Sequence, residues 1–151
     1  MIADIVRSCF PVAAKVVADK ADEINKLNVF PVPDGDTGTN MSLTLGTVVK
    51  EIEALPEGAS MGDIAKAITH GSLMGARGNS GVILSQFWRG ITRAVEGEPV
   101  LTKELYVKAL NEARNTAYKG VVRPVEGTIL TVLKDTAAEV EAGIDGCRTF
   151  E

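Results

Sequence analysis

The sequence predicts an all-α fold, an antiparallel up-and-down helical bundle or barrel. Two observations carry that expectation. Apolar residues recur at spacings of three and four through six segments, and no segment alternates apolar with polar as a half-buried strand does. Val121-Val122 and the stretch from Val29 to Val32 are too short to count as strands. A chain of 151 residues can bury one sizeable core but not two ordinary ones, so a single domain is expected.

Residues 2–25 carry Ile2, Ile5, Val6, Cys9, Ala13, Val16, Val17 and Ile24 as a helical stripe, which Pro11 should kink or break. A loop follows over about 26–38. The second helix runs from about 39 to 54, with Met41, Leu45, Val48, Val49 and Ile52 on one face, and Pro56 and Gly58 end it. The third starts at Ser60, which forms a capping box with Asp63, and aligns Met61, Ile64, Ala65 and Ile68. It runs out at residues 71–75. The fourth covers about 80–95, with Val82, Ile83, Phe87, Ile91 and Val95 aligned, before Gly97 and Pro99 break the chain. Thr102 caps the fifth, at about 102–119, with Tyr106, Leu110, Ala113 and Ala117 in register. After a loop over 120–127, the sixth begins near Thr128 with Ile129, Leu130, Val132, Leu133, Ala137 and Val140, and Gly143 and Gly146 close it. Thr149-Phe150-Glu151 reads as the start of another helix.

Composition narrows the function classes. Hydrophobic residues at 45% and charged residues at 24% fit a globular chain rather than a disordered one. A net charge of -4 argues against a surface that tracks nucleic-acid phosphates, though not against nucleotide binding. Two cysteines, Cys9 and Cys147, make no disulfide framework and fit a reducing compartment; Cys9 reads as buried apolar filler. With no run of about 18 apolar residues and no signal-peptide pattern, the expected location is cytoplasmic.

Function is concentrated in three loops. In Asn28-Val29-Phe30-Pro31-Val32-Pro33-Asp34-Gly35-Asp36-Thr37-Gly38-Thr39-Asn40, two prolines stiffen a loop that holds two carboxylates one residue apart, just before a helix. Such oxygen donors suit a hard cation. The spacing does not fit a calcium hand, whose glycine and glutamate positions are Thr39 and Leu45 here. Gly78-Asn79-Ser80-Gly81 opens the fourth helix and offers backbone N–H groups to phosphate, without the Lys of a Walker A loop. Arg77 beside it is a candidate for the transferred phosphoryl group, with plain solvation as the alternative. Glu126-Gly127-Thr128 opens the sixth helix as a nucleotide contact or an ordinary cap. In an up-and-down bundle the loops before helices two, four and six share one end, so the three should meet. His70, the only histidine, reads as structural or solvated, and Phe87 and Trp88 read as core.

Residues 25–41, together with Gly75-Ala76-Arg77-Gly78-Asn79-Ser80-Gly81 and Pro124-Val125-Glu126-Gly127-Thr128, closely resemble the three motifs of the N-terminal, ATP-binding domain of bacterial fatty acid kinases. That domain is similar to the nucleotide-binding part of dihydroxyacetone kinases, and the resemblance covers essentially the whole chain. It implies a barrel of about eight antiparallel helices with ATP and Mg²⁺ at one end. It also implies phosphorylation of a fatty-acid carboxylate delivered by a fatty-acid-binding partner. Dihydroxyacetone kinases use three aspartates on two Mg²⁺ ions; the nearest position to the first is Asn28, so a second metal site is expected to be weaker or built differently. The chain stops before the family's last helix or two, so a fragment of a longer protein is expected, with apolar surface left open to oligomerisation.

These readings converge on in-line phosphoryl transfer without a protein nucleophile. Asp34 and Asp36 bind Mg²⁺, with Asn28 as a further ligand, and Arg77 assists transfer. Gly78, Asn79, Ser80 and Gly81 hold phosphates, Thr37, Gly38, Thr39 and Asn40 assist from loop one, and Gly127 and Thr128 contact the nucleotide. The alternatives are a nucleotide-binding regulatory module without turnover, a glycerone-type kinase domain, and a hydrolase.

Overall fold

A computed structural model of the chain describes residues 2–98 and 100–146, apart from the Ile2 side chain. The expected helix start at Thr149-Phe150-Glu151, the break at Pro99 and the thiol of Cys147 lie outside the described residues. Within them the molecule is all-helical: α1 Ile2–Asp19, α2 Ala21–Leu27, α3 Thr37–Glu53, α4 Met61–Gly75, α5 Gly78–Val95, α6 Lys103–Lys119 and α7 Ile129–Gly143. A single 3-10 turn, Ile144–Gly146, follows. No strand occurs among the described residues.

The helices form an antiparallel bundle around α3, which packs on α1, α2, α4 and α5. The bundle then extends from α5 to α6 and from α6 to α7. Leu45, Val48 and Ile52 of α3 meet Ile64, Ala67 and Ile68 of α4 in the core. Phe10 closes it from α1, its ring 5.0 Å from that of Trp88 on α5. Two close approaches set the spacing. A Cβ at Gly71 would sit 2.8 Å from the Val48 Cα, and one at Gly90 would sit 2.5 Å from the Ala113 Cα, so α3–α4 and α5–α6 touch nearly backbone to backbone.

The capping expectations hold at two helices. The Asp63 N–H donates to Ser60 Oγ and the Ser60 N–H to Asp63 Oδ2, both at 3.1 Å. The Leu105 N–H donates to Thr102 Oγ1, also at 3.1 Å.

Three expectations are corrected. Pro11 lies inside α1 and does not end it; the break comes at Lys20, where α2 turns off. The inner face of α1 is Ala3, Phe10 and Ala14, with Val6 and Val17 beside them, while Ile5, Ala13 and Val16 are exposed. Cys9 shares the outer side and is exposed, not buried filler. The third correction concerns α5, whose buried face is Gly81, Leu84, Ser85, Gly90, Thr92 and Ala94 rather than the line through Val82. Hydroxyls can occupy that face because they bond carbonyls of their own helix: Ser85 Oγ donates to the Val82 C=O at 2.7 Å and Thr92 Oγ1 to the Trp88 C=O at 3.0 Å.

Ile64 is 1% exposed in this core. Replacing it with Ala should lower the free energy of urea unfolding by about 2–5 kcal/mol, with an unchanged m-value.

Candidate functional site

Loop one leaves α2 and re-enters at α3, and one amide organises it. Asn28 Oδ1 accepts the N–H groups of Asp36 and Thr37 at 3.1 and 3.2 Å, while its Nδ2 donates to the Val32 C=O at 3.0 Å. The loop thereby closes on itself, and Asn28 supplies the cap that α3 lacks from its own N-cap residue, Asp36. Asn25 repeats the device one turn on. Its Oδ1 accepts the Thr39 N–H at 3.1 Å and its Nδ2 donates to Thr39 Oγ1 at 2.9 Å.

A cavity of about 500 Å³ opens beside this loop. Asn28, Asp34, Asp36 and Thr37 line it from loop one and the start of α3, Asn79 and Ser80 from the start of α5, and Thr128 from the start of α7. The three loops therefore meet at one end of the bundle. Neither aspartate carboxylate has a hydrogen-bond or ion-pair partner among the described residues. The rest of the wall is largely apolar, with Ile24, Phe30, Ile83, Val121 and Val125 among its members.

The helix starts at this cavity are not equivalent. Asn28 caps α3. Thr128 caps α7, with Oγ1 accepting the Leu130 N–H at 3.2 Å and donating to the Val125 C=O at 2.8 Å, and Thr131 Oγ1 takes the Gly127 N–H at 2.7 Å. No side chain caps α5. Its first N–H groups, which have no partner within a helix, and the positive end of its dipole are left to the cavity side.

Several candidate residues also serve the framework. Gly38 packs so closely on Ala21 that a Cβ would overlap the backbone of α2. Thr39 is tied to Asn25. Asn40 lies against Gly78, whose φ of +58° and lack of Cβ room both require glycine. Gly81 makes room for Thr44 Oγ1. Arg77 Nη1 donates to the Ala76 C=O at 2.9 Å, at the C-terminus of α4, and the residue is not among those lining the cavity. Asn28, expected as a further metal ligand, has both acceptor directions of its oxygen occupied by N–H groups. His70 sits on α4 outside the cavity, with Nδ1 3.2 Å from Glu51 Oε1.

Loop three is held by a knot on Glu126. Its Oε1 accepts the Tyr118 hydroxyl at 3.0 Å, and its Oε2 accepts Lys134 Nζ at 2.6 Å and Thr131 Oγ1 at 2.8 Å. These donors, Lys134 foremost, hold the Glu126 carboxyl at about 2, below its ordinary 4.5. Lys134 is raised in turn, chiefly by its bond to Glu126.

The DAK2 domain model matches residues 31–150. The chain belongs to the DAK2-domain family. It is 48% identical over 124 residues to an uncharacterized protein of Staphylococcus epidermidis, and equally so to one of Staphylococcus aureus. Each match covers 82% of this chain, which spans 22% of the relative's length. The family is related to dihydroxyacetone kinases, so this DAK2 domain is in general terms a kinase-like, nucleotide-binding helical module. Among its described residues no helix is long and apolar enough to cross a membrane.

Sequence reasoning misses two features of this DAK2 domain. Asn25 stands out only as part of a motif, although its spacing of fourteen from Thr39 spans one loop. Arg123 belongs to no motif, yet it lines the cavity between Val121 and Val125. The signal for it is an alternation in the loop: residues 121, 123 and 125 face the cavity while Val122 is 98% exposed.

Asn28→Ala should remove both caps from the start of α3 and destabilise the protein by about 1–2 kcal/mol in chemical denaturation. The depressed Glu126 carboxyl contributes stability that is present above about 4.5, its unfolded value, and is lost as pH falls towards about 2. In Glu126→Gln the acid-induced loss of stability across that window should therefore be shallower than in the parent, as read by thermal melts at successive pH values.

Proposed function

We propose that this chain is the Mg·ATP-binding part of a kinase that phosphorylates the carboxylate of a fatty acid, presented by a separate fatty-acid-binding protein, to give an acyl phosphate. The observation that supports this reading is the pairing, across one cavity, of two unpartnered carboxylates with an uncapped helix N-terminus. The donor set fits magnesium. No cluster of three or more acidic, histidine or cysteine ligands occurs among the described residues. Magnesium in kinase sites needs only one or two carboxylates, with phosphate oxygens and water completing its shell.

In this reading Asp34 and Asp36 hold the cation, with the Thr37 hydroxyl beside them. The backbone N–H groups of Asn79 and Ser80 and the Ser80 hydroxyl hold the phosphates. Bound there, Mg·ATP supplies the phosphoryl group, and its cation offsets the charge that develops on transfer. The fatty-acid carboxylate is already ionised at pH 7, so no residue has to remove a proton. Its oxygen forms the new bond to phosphorus as the bond to the leaving ADP oxygen breaks. Arg123 takes the role expected of Arg77, facing the transferred group or the incoming carboxylate. Phe30, Ile83, Val121 and Val125 give the cavity an apolar wall suited to an acceptor with a hydrocarbon chain or to the nucleotide base.

A glycerone-type kinase is the second reading, favoured by the family relationship itself.

Asp34→Asn with Asp36→Asn should weaken Mg·ATP binding by about two orders of magnitude in calorimetry; unchanged affinity would defeat the site assignment. With the full-length protein and an acyl-loaded partner, hydroxylamine should trap acyl phosphate, and Arg123→Gln should slow its formation far more than Arg77→Gln. Binding without any product would favour a regulatory module, transfer to dihydroxyacetone the second reading, and phosphate release without an acceptor a hydrolase.

A further inference from the structure

A second cavity, of about 480 Å³, lies between α5 and α6 and shares no lining residue with the first. Its cations are Arg89, Arg93 and Lys119, and its only acid is Glu112. None of these four has an ion-pair partner among the described residues. Arg89 and Arg93 stand one turn apart on the same helix, where like charges repel. Lys119, from the end of α6, adds a third positive charge to one groove of a protein whose net charge is -4.

The groove also presents neutral donors. Arg114 donates from Nε and Nη2 to Asn115 Oδ1 at 3.2 and 3.1 Å. That clamp occupies the carbonyl oxygen of Asn115 and leaves its NH₂ to face whatever enters. The floor of the groove is shaped by the backbone contact at Gly90 and Ala113, which brings the two helices close enough for one small ligand to reach side chains of both. No aromatic or aliphatic side chain lines it, so it has neither a stacking surface for a base nor a pocket for an apolar anchor.

We propose that this groove is a binding site for a small, multiply charged phosphate-bearing anion, distinct from the cavity at the loop end. The two guanidinium groups offer paired N–H donors matched to phosphate oxygens, and Lys119 and Asn115 bind from the opposite helix. Occupation removes the repulsion between Arg89 and Arg93. It also bears on the loop end, because Gly120, in the groove, leads directly to Val121 and Arg123 in the first cavity.

Inorganic pyrophosphate in magnesium-free buffer is the probe, titrated calorimetrically into the parent chain. Without magnesium the Asp34 and Asp36 carboxylates repel a bare anion from the loop-end cavity, which separates this site from the proposed kinase site, whose own test is Mg·ATP binding in the parent. Pyrophosphate should bind, and adding Arg89→Gln with Arg93→Gln should weaken it at least about tenfold. Adding Lys50→Gln with Lys66→Gln, an equal change of charge on α3 and α4, should leave affinity within about twofold, since neither lysine lines the groove and exposed charges are screened by salt. No binding, equal binding after the arginine changes, or an equal loss in the lysine control would each overturn the proposal. Circular dichroism of each variant shows whether a loss reflects unfolding instead; should the arginine pair unfold, Lys119→Gln with Asn115→Ala is read by the same criterion.

Discussion

The loop end depends on one buried hydroxyl. Thr44 is fully buried in the seam between α3 and α5. Its Oγ1 donates to the Asn40 C=O at 2.7 Å and accepts the Arg77 N–H at 3.3 Å. The first bond returns to its own helix, and the second crosses to the residue just before α5. The aspartates lead into the first of these helices and the uncapped N–H groups open the second, so their separation is set here. The glycines around the seam follow from it: Gly81 leaves space for the hydroxyl, and Gly78 for the Asn40 amide. A larger residue at either position would push α5 away from α3, and the two halves of the candidate site would part.

Given that seam, capping decides what each helix start can do. Three positive helix ends meet at one cavity, and each could attract an anion. Asn28 and Thr128 satisfy α3 and α7 from within the protein, which leaves α5 as the end with donors to offer. The carboxylates sit beside the capped α3, so the cavity has a negative side and a positive side. A magnesium–polyphosphate pair has the matching polarity, whereas a bare anion would meet Asp34 and Asp36 unscreened. This asymmetry depends on an asparagine that looks, from its position in the sequence, like a substitute metal ligand.

The all-α class, the order of the helices and the meeting of the three loops are legible in the sequence because they rest on periodicity and on the parity of an up-and-down chain. What fails to show is the direction of individual side chains. Pro11 does not break α1, since a regular stripe of contacts to α3 on either side outweighs one missing hydrogen bond. Ser85 and Thr92 conceal the buried face of α5, because a hydroxyl bonded to its own helix packs as a small apolar group does. Arg77 draws attention through its neighbours in sequence, but an arginine just after a helix finds that helix's carbonyls first. Cys9 suggests burial by residue type and by its place in the expected stripe, and its exposure follows from the one-position rotation of that stripe on α1.

Arg123 shows how the framework can place a residue that no motif announces. Loop three is nearly all exposed, and isolated exposed loops wander. Here both ends are pinned. At one end Gly120 lies against Gln86, so closely that a Cβ there would come within 2.6 Å of its side chain. At the other, Glu126 gathers Tyr118, Thr131 and Lys134, from α6 and α7. Between the pins the chain bends at Val122 and Arg123, and Val121 and Val125 line the cavity. Arg123 falls midway between them and lines the same cavity. Its position thus follows from two anchors and the bend between them, and it would move if either anchor were lost, even though neither touches the arginine.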